Sequence, residues 1–193
     1  MMKKDKILEP INYSFSGFFD NKVFSRFVKS TERTIRSDKS YLNYIKKIKE
    51  AEQNLGKDVI LNNLKSSEVE IQMHHHPLTL YDLVSIVALH NFNNDIEFSS
   101  ISLAKEVIQA HYDNIVGLAP MSVTTHELAH AAIGPKSKSR YINLTKKQIF
   151  GKYEEFVDRY KDGLTLEVRE KLTEFEKINS DVIFKIDTKD LFK

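Results

Sequence analysis

Two short stretches and the helix predicted after them decide the fold expected for this 193-residue chain. The first stretch is Val69-Glu-Ile-Gln-Met-His-His-His-Pro77, in which apolar and polar residues alternate as in a β-strand. The second is Asn114-Ile-Val-Gly-Leu-Ala-Pro120, a short apolar strand candidate that ends at a proline. Ser122 or Thr124 can then cap a helix that continues through Ala132. The order strand, strand, helix is therefore predicted.

Most of the remaining sequence is predicted to be helical. Apolar residues recur at helical spacing in six further segments, which cover residues 23–35, 40–55, 79–90, 101–111, 145–161 and 164–178. Thr79 is the predicted N-cap of the third segment, and Ser99 or Ser100 is that of the fourth. This pattern predicts an α+β protein in which helices predominate.

The composition excludes several classes of protein. Apolar residues make up 41% of the chain, too many for a disordered protein, and the net charge is only +2. The absence of cysteine excludes disulfides, thiolate zinc sites, iron–sulfur clusters and cysteine nucleophiles. No apolar run approaches the roughly 18 residues that span a bilayer, and no signal peptide is recognisable. The cytoplasm is the expected compartment, and it would be the host cytoplasm if a phage encodes the chain.

The N-terminal third carries a local excess of positive charge. Between Lys22 and Lys49, nine Lys or Arg residues stand against Glu32 and Asp38 alone, a local charge of +7. Basic residues on one side of these helices could bind the phosphates of a nucleic acid. The residues predicted to do so are Lys22, Arg26, Lys29, Arg33, Arg36, Lys46 and Lys47. A solvated helix face without a partner is the alternative interpretation.

Five of the seven histidines fall into two clusters. The run His74–His76 ends the first predicted strand, whereas His126 and His130 lie four residues apart on the predicted helix. Residues four apart share one face of a helix, so these two imidazoles can bind the same metal ion. A metal-binding or catalytic role is therefore predicted for the clusters. The isolated His90 and His111 are interpreted as structural or surface residues.

The helix sequence His126-Glu127-Leu-Ala-His130 also matches the HExxH motif of zinc metallopeptidases. In that chemistry the two histidines bind zinc, and Glu127 is the general base toward a water molecule. Glu154 or Glu155, further along the chain, could supply the third ligand. This interpretation explains the helix but gives no role to the histidines of the first strand.

A wider set of residues resembles the HNH endonucleases, also called ββα-metal or His-Me finger nucleases. The matching order is the strand that ends at His-His-His-Pro77, then the strand that follows Asn114, then the HxxxH helix. The adjacent histidines and the helical HxxxH are most similar to those of cysteine-free, colicin-type DNases. The segment from Glu70 to Asp82 also resembles the nuclease segment of small phage-encoded HNH proteins. The resemblance implies that His74, His126 and His130 bind one divalent ion, with zinc, magnesium, manganese and nickel as the candidates.

Two catalytic roles are implied by the same resemblance. His75 would be the general base that takes a proton from water, although a shift of one residue in the strand register would give that role to His76. Asn114 would hold the base in place by hydrogen bonding to the backbone of the histidine loop. The implied activity is metal-dependent hydrolysis of phosphodiester bonds in DNA.

The expected fold is α+β and predominantly helical, with a small ββα-metal core, an N-terminal basic helical extension and C-terminal helices. The expected regions are a basic helical region at 1–64, a nuclease domain at 65–162, and a C-terminal helix and tail at 163–193. DNA is the expected partner, without a membrane, and a protein complex or homo-oligomer is a further expectation. The alternatives are the zinc metallopeptidase and an HNH fold that lacks catalysis and serves as a nucleic-acid-binding or interaction module.

Overall fold

The computed structural model describes residues 20–50, 56–61, 64, 67–131 and 144–179. In chain order, the helices and strands of these residues are α1 (Asn21–Ser37), α2 (Lys39–Glu50), β1 (Ile71–His75), α3 (Leu80–Asn93), α4 (Ser100–Tyr112), β2 (Leu118–Ser122), α5 (Val123–Ala131), α6 (Tyr153–Arg159) and α7 (Leu166–Asn179). Two short 3-10 helices, Lys146–Gln148 and Lys161–Gly163, flank α6. The predicted fold class, α+β and predominantly helical with a small sheet, is confirmed.

The two strands form an antiparallel pair in which His75 lies opposite Leu118. Helix α5 begins at the residue after β2, so the order strand, strand, helix is the predicted one. The second strand is displaced from its predicted position, because it continues through Pro120 and ends at Ser122. Residues 114–117 instead connect α4 to β2.

The sheet separates two hydrophobic clusters. The larger one is the main core, and its most buried members include Phe27, Val28, Leu83, Val107, Leu118 and Phe156. The smaller one lies between β2 and α5 and consists of Ala119, Met121, Ala129 and Leu144. Successive side chains of a strand point to opposite faces, so one face of the sheet packs against the main core and the other against α5. Val168 of α7 also belongs to the main core, so all three predicted regions contribute to it, and their division stays a prediction.

The helix predicted over residues 145–161 is interrupted at Phe150. The N–H and carbonyl of Phe150 pair with Leu118 at 2.7 and 2.8 Å, which adds an isolated bridge to the sheet. Gly151 follows with φ +92°, a conformation that glycine adopts readily. The prediction of one continuous helix is therefore wrong, because pairing with β2 takes the backbone groups that the helix would use.

The predicted N-caps of α3 and α4 are confirmed. Thr79 forms a capping box with Asp82, and Ser99 forms one with Ser102. The predicted end of α5 beyond Ala131 lies outside the described residues. Among the residues that the structure describes, no helix is both long and apolar enough to cross a membrane.

Candidate metal centre

Three histidines meet between the sheet and α5. His74 lies on β1, and His126 and His130 lie one turn apart on α5. Each offers one ring nitrogen, and these nitrogens all lie within 4.8 Å of one another. The ring of His74 meets each of the other two edge to face, with 5.1 Å between centroids. The structure thus brings together the three residues predicted to bind metal, and we call them the histidine cluster.

Gln72 fixes the orientation of one member of the cluster. The Nδ1–H of His126 donates a hydrogen bond of 2.6 Å to Oε1 of Gln72, while Nε2 of Gln72 donates to Glu70. This leaves Nε2 of His126 facing Nε2 of His130 at 3.0 Å. An outer partner of this kind sets the tautomer of a metal-binding histidine. Sequence reasoning missed Gln72, although its place two residues before His74 puts both on one face of the strand.

The spacing of the nitrogens is compatible with a bound metal ion. In tetrahedral zinc geometry, with bonds of about 2.0–2.1 Å, two imidazole nitrogens lie roughly 3.3 Å apart. The facing nitrogens of His126 and His130 are 3.0 Å apart, so a small outward movement of either ring makes room for the ion. His74 is only 5% exposed, whereas His130 is exposed. Three nitrogen ligands with one accessible side are typical of a catalytic rather than a structural zinc site.

The electrostatics around His74 and His126 favour neutral imidazoles. Burial, with smaller contributions from the neighbouring histidines, lowers the pKa of His74 to about 3. Burial also lowers the pKa of His126, and His130 and Arg36 act in the same direction. A histidine must be neutral to bind a metal, so these shifts keep His74 and His126 in the form that could bind one at pH 7.

His75 points away from the cluster and contacts α4. The Nδ1–H of His111 donates to the carbonyl of Val107 at 2.7 Å, so Nε2 of His111 is an acceptor. It accepts the Nε2–H of His75 at 3.0 Å. His75 is 8% exposed and His111 is fully buried. The structure therefore places the predicted general base in a buried histidine pair on the other face of β1, and it makes His111 an internal anchor of that strand.

His76 lies on the same side of the chain as His74. Their rings are stacked with 6.0 Å between centroids, and His76 also packs edge to face on Phe175 at 4.9 Å. Burial lowers the pKa of His76 to about 4, and the positive charge of Lys171 lowers it in addition. Nε2 of His76 is buried and has no hydrogen-bond partner among the described residues. Of the two histidines that sequence offered as the base, His76 is the one beside the cluster.

Asn114 shapes the connection that leads into β2. Its φ is +59°, a left-handed conformation that asparagine tolerates better than most residues. Its N–H donates to the carbonyl of His111, and its carbonyl accepts from the N–H of Lys152. The side-chain Oδ1 is buried and accepts no hydrogen bond from a described residue. The backbone of His76 is held instead by the carbonyl of Gly117, at 3.0 Å.

The carboxylates of the metallopeptidase interpretation lie apart from the cluster. Glu154 forms an ion pair with Lys146 at 3.3 Å, and Glu155 forms one with Lys152 at 2.8 Å. Among the described residues, the group of potential ligands around α5 includes His74 and neither of these two carboxylates. Glu127 is exposed on α5.

The basic residues of α1 form a continuous stripe. They are Lys22, Arg26, Lys29, Arg33 and Arg36, all exposed, and their spacing of four, three, four and three residues keeps them on one face of the helix. The opposite face carries the buried Phe27, Thr31 and Ile35. The charge of Arg36 helps to lower the pKa of His75 and of His126, so the C-terminal end of this basic stripe lies near the cluster. Lys46 and Lys47 are exposed on α2.

The fold and site together define a predominantly helical α+β protein with a three-histidine cluster at a strand–strand–helix unit. Comparison with known protein families identifies the family. The family model of the bacteriophage G278-like virion proteins matches residues 1–191, so the chain belongs to that family. The expectation of a phage protein is thereby confirmed. No curated protein and no solved structure matches the chain.

Proposed function

We propose that this phage protein is a metal-dependent endonuclease of the HNH type, which hydrolyses phosphodiester bonds in DNA. One observation carries the proposal: β1 and α5, which are distant in sequence, bring the nitrogens of three histidines within 4.8 Å of one another. The strand–strand–helix order around these residues is the order that the resemblance to HNH nucleases implies.

The histidine cluster would hold one divalent ion. Such an ion would supply Lewis-acid stabilisation of the negative charge that develops on the phosphate during hydrolysis. A ligand set made only of imidazoles suits zinc or nickel better than magnesium or manganese. Gln72 keeps Nε2 of His126 available by accepting a hydrogen bond from Nδ1–H, so this residue supports the ligand set directly.

In this proposal His76 accepts the proton from the attacking water. It is neutral at pH 7, its Nε2 has no partner among the described residues, and its ring lies beside that of His74. His75 would not be the base in this proposal, because its Nε2–H already donates a hydrogen bond to His111. A phosphate group beside His76 would favour the imidazolium that proton transfer produces.

The basic stripe on α1 supports a polyanionic substrate. Exposed Arg and Lys side chains on one helix face can neutralise successive phosphates, which gives affinity without sequence preference. Arg36 brings the end of this stripe near His126, so a strand bound along α1 would pass close to the cluster. Membership of a virion protein family indicates a component of the phage particle, and the host cytoplasm is the proposed place of DNA cleavage.

The metallopeptidase remains the second candidate, because α5 carries the complete HExxH motif and the charge of Glu127 acts on His126. In that chemistry Glu127 would take the role that we give to His76. The ligand sets of the two candidates differ only in the third residue, and the nearness of His74 to His126 and His130 supports the set proposed for the nuclease.

The proposal is tested with the full-length chain on plasmid DNA and, in parallel, on casein. We expect DNA cleavage that EDTA abolishes and that added zinc or nickel restores, with no cleavage of casein. His126→Ala should abolish DNA cleavage, whereas His90→Ala, at a histidine outside the cluster, should not. DNA cleavage that persists in His126→Ala would refute the nuclease assignment. Metal-dependent casein cleavage that Glu127→Gln destroys would establish the metallopeptidase instead.

A further inference from the structure

A buried carboxylate lies where β2 ends and α5 begins. Asp58 has no exposed surface. Its Oδ2 accepts hydrogen bonds from the N–H of Ser122 at 2.7 Å and from the hydroxyl of Thr125 at 2.6 Å. Its Oδ1 accepts the N–H groups of Ile60 and Leu61 at 2.7 and 2.9 Å. Both oxygens therefore accept hydrogen bonds: Oδ1 from the backbone that directly follows Asp58, and Oδ2 from the residues where β2 ends and α5 begins.

These contacts explain how a charged group can be buried at this place. Burial by itself raises the pKa of Asp58, but the hydrogen bonds from Thr125, Leu61 and Ser122 outweigh that effect and hold the pKa below its usual value. The N-terminus of a helix also attracts negative charge. Asp58 is therefore ionised at neutral pH, and its four hydrogen bonds are charge-assisted and strong.

The carboxylate acts on the part of α5 that carries the cluster. Thr125, which donates to Asp58, directly precedes His126. A second bond, from the N–H of Val59 to the carbonyl of Pro120 at 2.9 Å, ties the same segment to β2. An imidazole nitrogen lies roughly 6 Å from the axis of its helix, so a rotation of α5 by about 10° would displace it by about 1 Å. A displacement of that size exceeds the roughly 0.5 Å that a functional site tolerates.

We propose that Asp58 is a positioning residue of the metal centre, which fixes the rotation of α5 against β2 so that His126 and His130 face His74. This inference rests on the proposed metal site. It assigns a function to a residue that touches none of the three ligands, and it predicts that metal affinity depends on a carboxylate in the connection between α2 and β1.

The experiment measures Co²⁺ binding to the full-length chain after EDTA treatment, by the visible absorption of the ion. Asp58→Asn removes the charge, and Thr125→Val removes one donor at nearly constant shape. Each should weaken Co²⁺ binding roughly tenfold or more, as loss of an outer partner does in other metal sites. Asp82→Asn is the matched control, because Asp82 also accepts hydrogen bonds at a helix start but belongs to α3. It should leave Co²⁺ affinity unchanged.

Hydrogen exchange of the metal-free chain gives a second readout. The amides of α5 should exchange faster in Asp58→Asn and Thr125→Val, while those of α4 keep their wild-type rates. Wild-type Co²⁺ affinity in both variants, unchanged exchange in α5, or an equal loss of affinity in Asp82→Asn would each overturn the positioning role. If the wild-type chain itself fails to bind Co²⁺, the proposed metal site is refuted, and the exchange rates then show separately whether Asp58 orders α5.

Discussion

Lowering the pH from 7.5 to 5.5 should destabilise the metal-free protein, because buried histidines stay neutral in the folded chain. Burial is the main cause that lowers the pKa of His74 to about 3 and that of His111 to about 4. In the unfolded chain each imidazole takes up a proton near pH 6.5. The folded state therefore binds fewer protons than the unfolded state. The stability that this difference contributes is fully present above about pH 6.5 and is lost as the pH falls below that value.

The size of the loss follows from these pKa values. Between pH 7.5 and 5.5, proton uptake by the unfolded chain lowers the free energy of unfolding by about 1.3 kcal/mol for each histidine. His74 and His111 together therefore predict a loss of about 3 kcal/mol. The pKa of His75 and that of His76 are also lowered by burial, so they add to this loss. For a chain of this size, 3 kcal/mol lowers Tm by roughly 6–12 °C.

Urea unfolding, followed by circular dichroism in the presence of EDTA at pH 7.5, 6.5 and 5.5, measures this effect. His111→Gln removes one of the two groups and should reduce the pH dependence by roughly 1 kcal/mol, besides any constant change in stability. His90→Gln controls for the loss of an imidazole as such. A free energy of unfolding that is the same at pH 7.5 and 5.5, or a pH dependence that His111→Gln leaves intact, would refute the reasoning.

The other predictions concern catalysis and DNA binding. His76→Ala should lower kcat for DNA cleavage by about 10²–10⁴-fold, whereas His75→Gln should mainly lower Tm; the reverse outcome would restore His75 as the base. Glu127→Gln should retain nuclease activity within about tenfold, or roughly 1.4 kcal/mol in the barrier, and a larger loss in kcat would point to the peptidase chemistry. Replacing Arg33 and Arg36 together by Gln should reduce the slope of log K against log salt by up to roughly two, as measured by fluorescence anisotropy on duplex DNA. An unchanged slope would mean that these arginines face water or a protein partner.

The three cluster residues could be selected from the sequence because their placement depends partly on local geometry, namely spacing along a helix and alternation along a strand. The spacing of His126 and His130 on a helix places both rings on one face, and no tertiary contact alters that. Alternation along the strand likewise separates His74 from His75. Which of these two faces α5 depends on how the strand packs, and the choice of His74 rested on what the resemblance to a known family implies.

Residues that act through long-range contacts gave no such signal. Nothing in the sequence around Asp58 indicates its partners, and only the folded chain shows that Ser122 and Thr125 donate to it. His111 has no histidine near it in sequence, yet it bonds to His75. Phe150 fits a helical pattern and pairs with β2 instead. In each case the partner is distant in sequence, so local periodicity could not reveal it.

The position of Arg36 decides how the basic helix and the cluster could act together. The stripe from Lys22 to Arg36 extends about 21 Å at 1.5 Å per residue, and the same length of duplex axis carries roughly six phosphates on each DNA strand. Its C-terminal end lies near enough to His126 for the charge of Arg36 to act on that ring. A solvated helix face needs no such proximity, and an interaction module needs no cluster of three histidines. The nuclease is the one proposed function that uses the stripe, the cluster and their proximity together.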